Sequence, residues 1–179
     1  MRVQNIGSQP NQSLTEYCVG VATASCTYPG IAQCFAVAGW TQSKIIGVHV
    51  SPGFTKDEMD AAFGFLQALG GDTVMHWYIV GPFQEHFSVA KAQWHSERDI
   101  KKSFKKHLTN PAAKHLILDA TAERNTLRPA EPGITIPSRV SAIDVRVVVN
   151  GITMAFEYGT RHRGVTTWTG FDLTKFRQF

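Results

Sequence analysis

Cys34 and His49 are the residues in this sequence whose types and spacing suit covalent chemistry. They are 15 positions apart, and each lies in a short apolar run of the kind that forms a β-strand. Two adjacent strands joined by a short loop would bring the thiol and the imidazole side by side. An imidazole in that position accepts the thiol proton, and a thiolate is a nucleophile. The sequence therefore predicts a nucleophilic site built from Cys34 and His49.

A catalytic histidine normally needs a third group that orients its ring, and Thr27 is the first candidate. Thr27 precedes the turn signal Pro29–Gly30, and its hydroxyl or a nearby backbone carbonyl would accept a hydrogen bond from the imidazole. A local turn hydrogen bond would also explain this threonine. Cys26, which is 23 positions before His49, is the rival nucleophile. Packing in a core, the ordinary role of a free cysteine, remains the alternative for both cysteines.

The segments around these residues predict the elements that must position them. Alternating or β-branched apolar residues predict strands at 16–24, 31–38, 45–50 and 74–81, with a turn at 25–30. Thr55 and Glu58 form a capping box, and an apolar stripe at helical spacing follows them as far as Gly70–Gly71. His49 is therefore expected near the end of a strand that leads into a capped helix.

The second half of the chain predicts one more helix and several strands. The helix begins after Ser96, and Ile100, Phe104 and Leu108 form its buried edge. Strands are expected at 115–120, 139–149, 152–158 and 165–171, with an irregular loop at 124–137, a basic turn at 160–164 and a hairpin turn at Asn150–Gly151. The order of these elements predicts an α+β fold with a mixed or antiparallel, β-sandwich-like core flanked by two main helices.

Composition limits the domain organisation and the kinds of function. With 179 residues, 43% of them hydrophobic, the chain suits a single domain at 14–179 after a flexible polar arm at 1–13. The cysteines form no C-x-x-C pair, and no nucleotide-binding loop or metal-ligand spacing is present, so no cofactor or metal is expected. Much of the net charge of +4 comes from lysines of the second helix, which favours a solvated face over nucleic-acid binding.

The sequence also lacks a segment that suits a membrane span or a Sec signal peptide. We therefore expect a cytoplasmic protein without a membrane partner, or a protein delivered from a bacterial cytoplasm into a target cell without a Sec signal. The oligomeric state is left open.

The order of the elements and two short motifs resemble the bacterial glutamine deamidase superfamily. Its members include the chemoreceptor glutamine deamidases (CheD type) and the catalytic domain of cytotoxic necrotizing factor toxins. The CheD-type pattern Gly-Ser-Cys-Val-Ala-Val is similar to residues 32–37, Ala-Gln-Cys-Phe-Ala-Val, and its His-x-x-Leu-Pro is similar to residues 49–52, His-Val-Ser-Pro. Thr27 stands near the place of the CheD-type threonine, whereas Gln33 departs from the small residue of those families. The resemblance covers roughly residues 17–81.

This resemblance implies a cysteine-dependent protein glutamine deamidase with a CheD-like or cytotoxic-necrotizing-factor-like fold, acting as a bacterial toxin or effector. Cys34 would be the nucleophile, His49 the base and Thr27 the third catalytic residue. The partner would be a protein that presents a glutamine side chain, and an amine in place of water would give transglutamination. Two alternatives remain open from the residues alone. One is another cysteine hydrolase, such as a protease or amidase, and the other is a non-catalytic protein-interaction domain.

Overall fold

A computed structural model describes residues 2–108, 110–126, 142–162 and 165–178. Within these ranges the strands are β1 (Gln4–Ser13), β2 (Cys18–Ile31), β3 (Phe35–Trp40), β4 (Ile45–Val50), β5 (His76–Gly81), β6 (Lys114–Asp119), β7 (Ile143–Asn150), β8 (Thr153–His162), β9 (Val165–Gly170) and β10 (Arg177–Gln178). The α-helices of the same ranges are α1 (Lys56–Ala68), α2 (Phe83–Phe87), α3 (Glu97–His107) and α4 (Thr121–Thr126).

The strands form one curled, mixed sheet in the order β10-β6-β5-β3-β4-β2-β7-β8-β9, and β1 runs parallel to β2. β5 and β6 are also parallel, whereas the other neighbouring pairs are antiparallel. The long strand β2 joins the two halves of the sheet, because residues 19–22 pair with β4 and residues 25–31 pair with β7. The α+β class predicted from the sequence is confirmed.

The central strands β3, β4 and β5 place alternate side chains in two different apolar cores. One face packs against the helices, and Val37, Val48 and Phe63 belong to that core. The opposite face packs against the second half of the sheet, through residues such as Ala36 and Val145. Because both faces are covered, every residue of β3 and β4 is buried.

The two main helices begin where the sequence predicts. The hydroxyl of Thr55 accepts a hydrogen bond from the Glu58 N–H, and the Glu58 carboxylate accepts one from the Thr55 N–H, which completes the capping box of α1. The Ser96 hydroxyl oxygen caps α3 by accepting a hydrogen bond from the Asp99 N–H, without the reciprocal bond of a capping box. α1 follows β4 closely, so its start lies near the end of β4 that carries His49.

Two regions near the N-terminus differ from the sequence-based expectation. β2 continues through the predicted turn at 25–30, and the Pro29–Gly30 pair forms a bulge, with a φ of 71° at Gly30 and a register shift between Tyr28 and Ile31. Residues 4–13 form β1, whereas their polar composition predicts a loose arm. Backbone hydrogen bonds along β2 hold this segment, and polar side chains give no indication of them.

The C-terminal hairpin is present, but its turn lies one residue later than predicted. Asn150 is the last residue of β7 and pairs with Thr153, so Gly151 and Ile152 connect the two strands, and Gly151 has the positive φ of 61°. The irregular loop predicted at 124–137 starts as part of α4, and from residue 127 it lies outside the described residues. Residues 163 and 164 of the predicted basic turn also lie outside them. In the described ranges, no helix has the length and apolar character that crossing a bilayer would require.

Gly47→Ala is expected to destabilise the protein by about 1–3 kcal/mol, because an extra methyl group in a filled core strains its neighbours. The new methyl carbon would lie 2.2 Å from the Tyr28 hydroxyl oxygen and 3.1 Å from the Val37 carbonyl oxygen. Gly64→Ala in α1 is the matched control, since apart from its chain neighbours and the adjacent helix backbone no atom lies within 4 Å of its methyl group. The control should leave stability unchanged or raise it. Urea unfolding measures both variants, and equal stabilities would contradict this account of the packing.

Candidate active site

Cys34 and His49 lie at one edge of the sheet, where β3 begins and β4 ends. Cys34 immediately precedes β3, and His49 is the penultimate residue of β4. The end of β5 meets the same edge, because a Cβ atom on Gly81 would lie 2.5 Å from the Cys34 carbonyl oxygen. Since β6 runs parallel to β5 and ends beside it, α2 and α4 also begin at this edge.

The strand register places the two side chains on the same face. His49 is directly opposite Ala36 in the β3–β4 ladder, and Phe35 is opposite Val50. Residues two apart on an extended chain share a face, so Cys34 points to the side of Ala36 and His49. Cys34 and His49 are therefore diagonal neighbours, a relation in which the residues lie about 7–8 Å apart and their Cβ atoms somewhat closer. This face is turned towards the second half of the sheet.

The His49 ring is fully enclosed and held by one hydrogen bond. The residue is 1% exposed, and Nδ1 lies 2.9 Å from the carbonyl oxygen of Leu14. A carbonyl oxygen can only accept, so Nδ1 carries the proton and Nε2 keeps its lone pair. Within the described part of the chain, Nε2 has no hydrogen-bond partner. Burial lowers the pKa of His49 below 6.5, which keeps the ring neutral at pH 7.

The carbonyl of Leu14 is placed by the connection between β1 and β2. The Leu14 N–H donates to the Thr27 carbonyl over 2.8 Å, and the Tyr17 N–H donates to the His49 carbonyl over 3.3 Å. The acceptor of the imidazole N–H is therefore Leu14 and not Thr27, whose carbonyl holds Leu14 in place. The segment between β1 and β2 acts as the orienting group of the histidine.

The Cys34 thiol is neutral in this structure, which differs from the expectation of a thiol ionised by its neighbour. Cys34 is 4% exposed, and its Sγ donates to Glu16 Oε1 over 3.5 Å. Burial, together with the charge of Glu16, raises the pKa of the thiol to about 12, although the Ser51 hydroxyl and the Gln33 backbone act in the opposite direction. A low-dielectric site beside a carboxylate disfavours the thiolate, and this outweighs the two donors. Glu16 and Gln33 are both exposed, so the sulfur lies just below the surface.

The other cysteines occupy different surroundings. Cys26 is 1% exposed, and burial raises the pKa of its thiol to about 12. Its neighbour Tyr28 donates to the Val37 carbonyl over 2.8 Å and presents its ring edge-on to His49, with the ring centroids 6.4 Å apart. Cys18 is partly exposed and lies 3.3 Å from the hydroxyl oxygen of Thr15. All three thiols lie on the side of the second core, and Cys34 is the one that lies beside Glu16 and Ser51 where β3 begins.

Several residues of the site are not predicted by the sequence. Leu14 contributes a backbone atom, which no side-chain pattern reveals. Glu16 and Ser51 reach Cys34 from segments that read as a strand start and a turn, and their contacts depend on pairing between distant strands. Among the described residues, no group of three His, Cys, Asp or Glu side chains could hold a metal ion.

No family model, no curated protein and no solved structure matches this chain. The interpretation of the site therefore depends on its own geometry and on the short motifs around Cys34 and His49.

Proposed function

We propose that this chain is a cysteine-dependent protein glutamine deamidase, with Cys34 as nucleophile and His49 as general base. The observation that carries the proposal is the state of the His49 ring. Its Nδ1 is fixed by the Leu14 carbonyl, while its buried Nε2 has no partner among the described residues. An unsatisfied buried polar atom costs about 1–3 kcal/mol, so it calls for an explanation. A basic nitrogen kept free on the same face as a thiol supports proton abstraction.

The proposed reaction proceeds through a thioester. His49 Nε2 takes the thiol proton as Sγ bonds to the carboxamide carbon of a glutamine side chain, and the tetrahedral intermediate carries the negative charge on oxygen. His49 returns the proton to the amide nitrogen, so that ammonia leaves and the thioester remains. A water molecule then loses a proton to His49 and attacks the thioester carbon. Glutamate is released and the thiol regains its proton. An amine in place of water would give the transglutamination product.

The electrostatics of the site favour this concerted route over a preformed ion pair. A neutral thiol and a neutral imidazole on the same face form the resting state, because burial disfavours both charged forms. Proton transfer during attack does not need a stable thiolate. Glu16 covers the sulfur at rest, so a substrate glutamine must displace its carboxylate to reach Cys34. The reaction is therefore coupled to binding of the target protein.

The fold and the local sequence add support to the proposal. A mixed sheet with helices on one face and a second strand layer on the other is compatible with a CheD-like or cytotoxic-necrotizing-factor-like fold. Thr27 takes part through its carbonyl, which fixes the orienting residue Leu14. The role of a bacterial toxin or effector, acting in the cytoplasm of its own cell or of a target cell, belongs to the same proposal.

The first prediction concerns the reaction itself. Incubation of the purified protein with a cell lysate should release ammonia and convert glutamine to glutamate in a target protein, a mass gain of about one dalton per site. Cys34→Ala and His49→Asn should each lower the rate by about 100-fold or more, because they remove the nucleophile and the base. Mass spectrometry of the lysate proteins measures the conversion, with an ammonia assay in parallel.

Cys26→Ala is the matched control for this prediction and should retain the activity. Loss of activity in Cys26→Ala together with full activity in Cys34→Ala would assign the nucleophile to the other cysteine. Backbone cleavage of a lysate protein would instead indicate a cysteine protease. A wild-type protein that modifies nothing would favour the non-catalytic interaction domain.

The second prediction concerns the Glu16 carboxylate. Glu16→Gln removes a negative charge beside the sulfur, so the pKa of Cys34 should fall from about 12 towards its ordinary value. The rate of alkylation by iodoacetamide should rise with pH in both proteins, but the rise should begin at lower pH in the variant. At pH 8 the variant should react at least about threefold faster. Peptide mass spectrometry at Cys34 follows the reaction.

Asp57→Asn, at another exposed carboxylate near the start of α1, is the control for the change of charge and should leave the rate unchanged. An identical pH profile for Glu16→Gln and the wild-type protein would show that Glu16 does not control the thiol.

A further inference from the structure

The carbonyl groups of Ala32 and Gln33, the two residues before Cys34, are hydrogen-bonded by side chains of α2 and α4. His86 Nδ1 lies 2.6 Å from the Gln33 carbonyl oxygen. Arg124 Nη1 donates to the Ala32 carbonyl oxygen over 3.0 Å. Two successive peptide groups next to the proposed nucleophile are therefore held by side chains far away in the sequence.

The His86 ring is a rigid donor in this arrangement. His86 is 1% exposed, and its ring stacks on Phe35 with the centroids 4.1 Å apart. Burial lowers the pKa of His86 to about 4, so the ring is neutral at pH 7. Because the Gln33 carbonyl can only accept, the proton of the neutral ring lies on Nδ1.

The Arg124 side chain is anchored as firmly. Its second terminal nitrogen forms an ion pair with Glu85, which lies in α2 next to His86. Glu85 also accepts a hydrogen bond from the Thr121 hydroxyl over 3.2 Å. Asp119, at the end of β6, accepts from the N–H groups of Phe83 and Thr121 and thereby ties the starts of α2 and α4 together. The two helices form one support for the segment before Cys34.

Because a trans peptide is planar, the two carbonyl contacts also fix the directions of the Gln33 and Cys34 N–H groups. No peptide bond in the described residues is cis. In a trans peptide the C=O of one residue and the N–H of the next point in opposite directions. The Ala32 carbonyl turned to Arg124 directs the Gln33 N–H away from α4, and the Gln33 carbonyl turned to His86 directs the Cys34 N–H away from α2.

Both N–H groups point away from the two helices. The Gln33 N–H lies beside the Cys34 Sγ, where it lowers the pKa of the thiol. In the loops and turns that the structure describes, neither N–H donates to a backbone carbonyl. An oxygen on a carbon atom bonded to Sγ would lie close to both donors, and two such donors are what an oxyanion requires.

We propose that the N–H groups of Gln33 and Cys34 form an oxyanion-binding site and that His86 and Arg124 are the positioning residues that orient them. The inference rests on the proposed function in that Cys34 attacks a carbonyl carbon, but it does not depend on the substrate being glutamine. It gives α2 and α4 a part in the proposed reaction, because they carry the side chains that orient the two N–H groups.

Two small electrophiles separate this role from a structural one. With p-nitrophenyl acetate, Sγ bonds to the acetyl carbon through a tetrahedral oxyanion, p-nitrophenolate leaves, and the thiol proton passes to His49. With iodoacetamide, Sγ displaces iodide from a methylene carbon, and no oxyanion forms. The experiment measures both rates at Cys34 in the full-length protein, with Cys34→Ala as the background.

His86→Leu should lower the acylation rate at Cys34 about tenfold, because one of the two donors loses its fixed direction, and should change the alkylation rate less than about twofold. His86→Asn is the matched variant, since its side-chain amide nitrogen can donate from near the position of Nδ1, and it should retain most of the acylation rate. Arg124→Met should show the same selective loss, and it keeps the test open if His86→Leu does not fold.

Equal loss of both rates in His86→Leu and Arg124→Met would overturn the inference, because these residues would then only support the fold. Unchanged acylation in both variants, or a wild-type Cys34 that p-nitrophenyl acetate does not acylate, would overturn it as well. The proposed function can fail independently of the oxyanion site. Selective loss of acylation in a protein that deamidates no lysate protein would leave the oxyanion site standing and remove the glutamine substrate.

Discussion

The hydrogen bond between the His49 ring and the Leu14 carbonyl is the contact on which the proposed chemistry of this protein depends. It fixes the tautomer, because the carbonyl can only accept a hydrogen bond and so keeps the single N–H of the neutral ring at Nδ1, which leaves Nε2 as a base. The contact exists because the end of β1 reaches the β2–β4 edge, where the Leu14 N–H is held by the Thr27 carbonyl. A shift of β1 by one residue would remove the acceptor and invert the face of its side chains.

The burial that encloses the His49 ring also keeps the Cys34 thiol in its neutral form. An enclosed thiol next to Glu16 stays protonated, so the site has low intrinsic reactivity towards solvent-borne electrophiles. In the proposed reaction, the site gains its activity when a bound substrate moves the Glu16 carboxylate aside and supplies a carbonyl. His86 and Arg124 hold the carbonyl groups of residues 33 and 32 in place before a substrate binds. The proposed oxyanion site is therefore already oriented, and no reorganisation free energy is spent when the substrate arrives.

Local patterns predict part of this structure, and long-range pairing decides the rest. The capping box of α1, the strand at 45–50 and the hairpin between β7 and β8 each depend on residues close in sequence, and the structure has all three, with the hairpin turn one residue later than predicted. β1 escapes prediction because its stability comes from backbone hydrogen bonds to β2, and the bulge at Gly30 because a Pro–Gly pair is equally typical of a turn. In the site, the spacing of Cys34 and His49 predicts the shared face. The contacts from Leu14, Glu16, His86 and Arg124 span 18 to 92 positions and leave no local pattern.

The protonation state of His49 is the most direct test of this account. Nitrogen-15 NMR of histidine-labelled protein, with His49→Asn to assign the signal, reports which ring nitrogen carries the proton. The account predicts a neutral ring at pH 7, protonated at Nδ1, with a pKa below 6.5 and an Nε2 signal that shifts in Cys34→Ala. A ring protonated at Nε2, or charged at pH 7, would contradict it, because His49 would then have no lone pair with which to take the proton of Cys34.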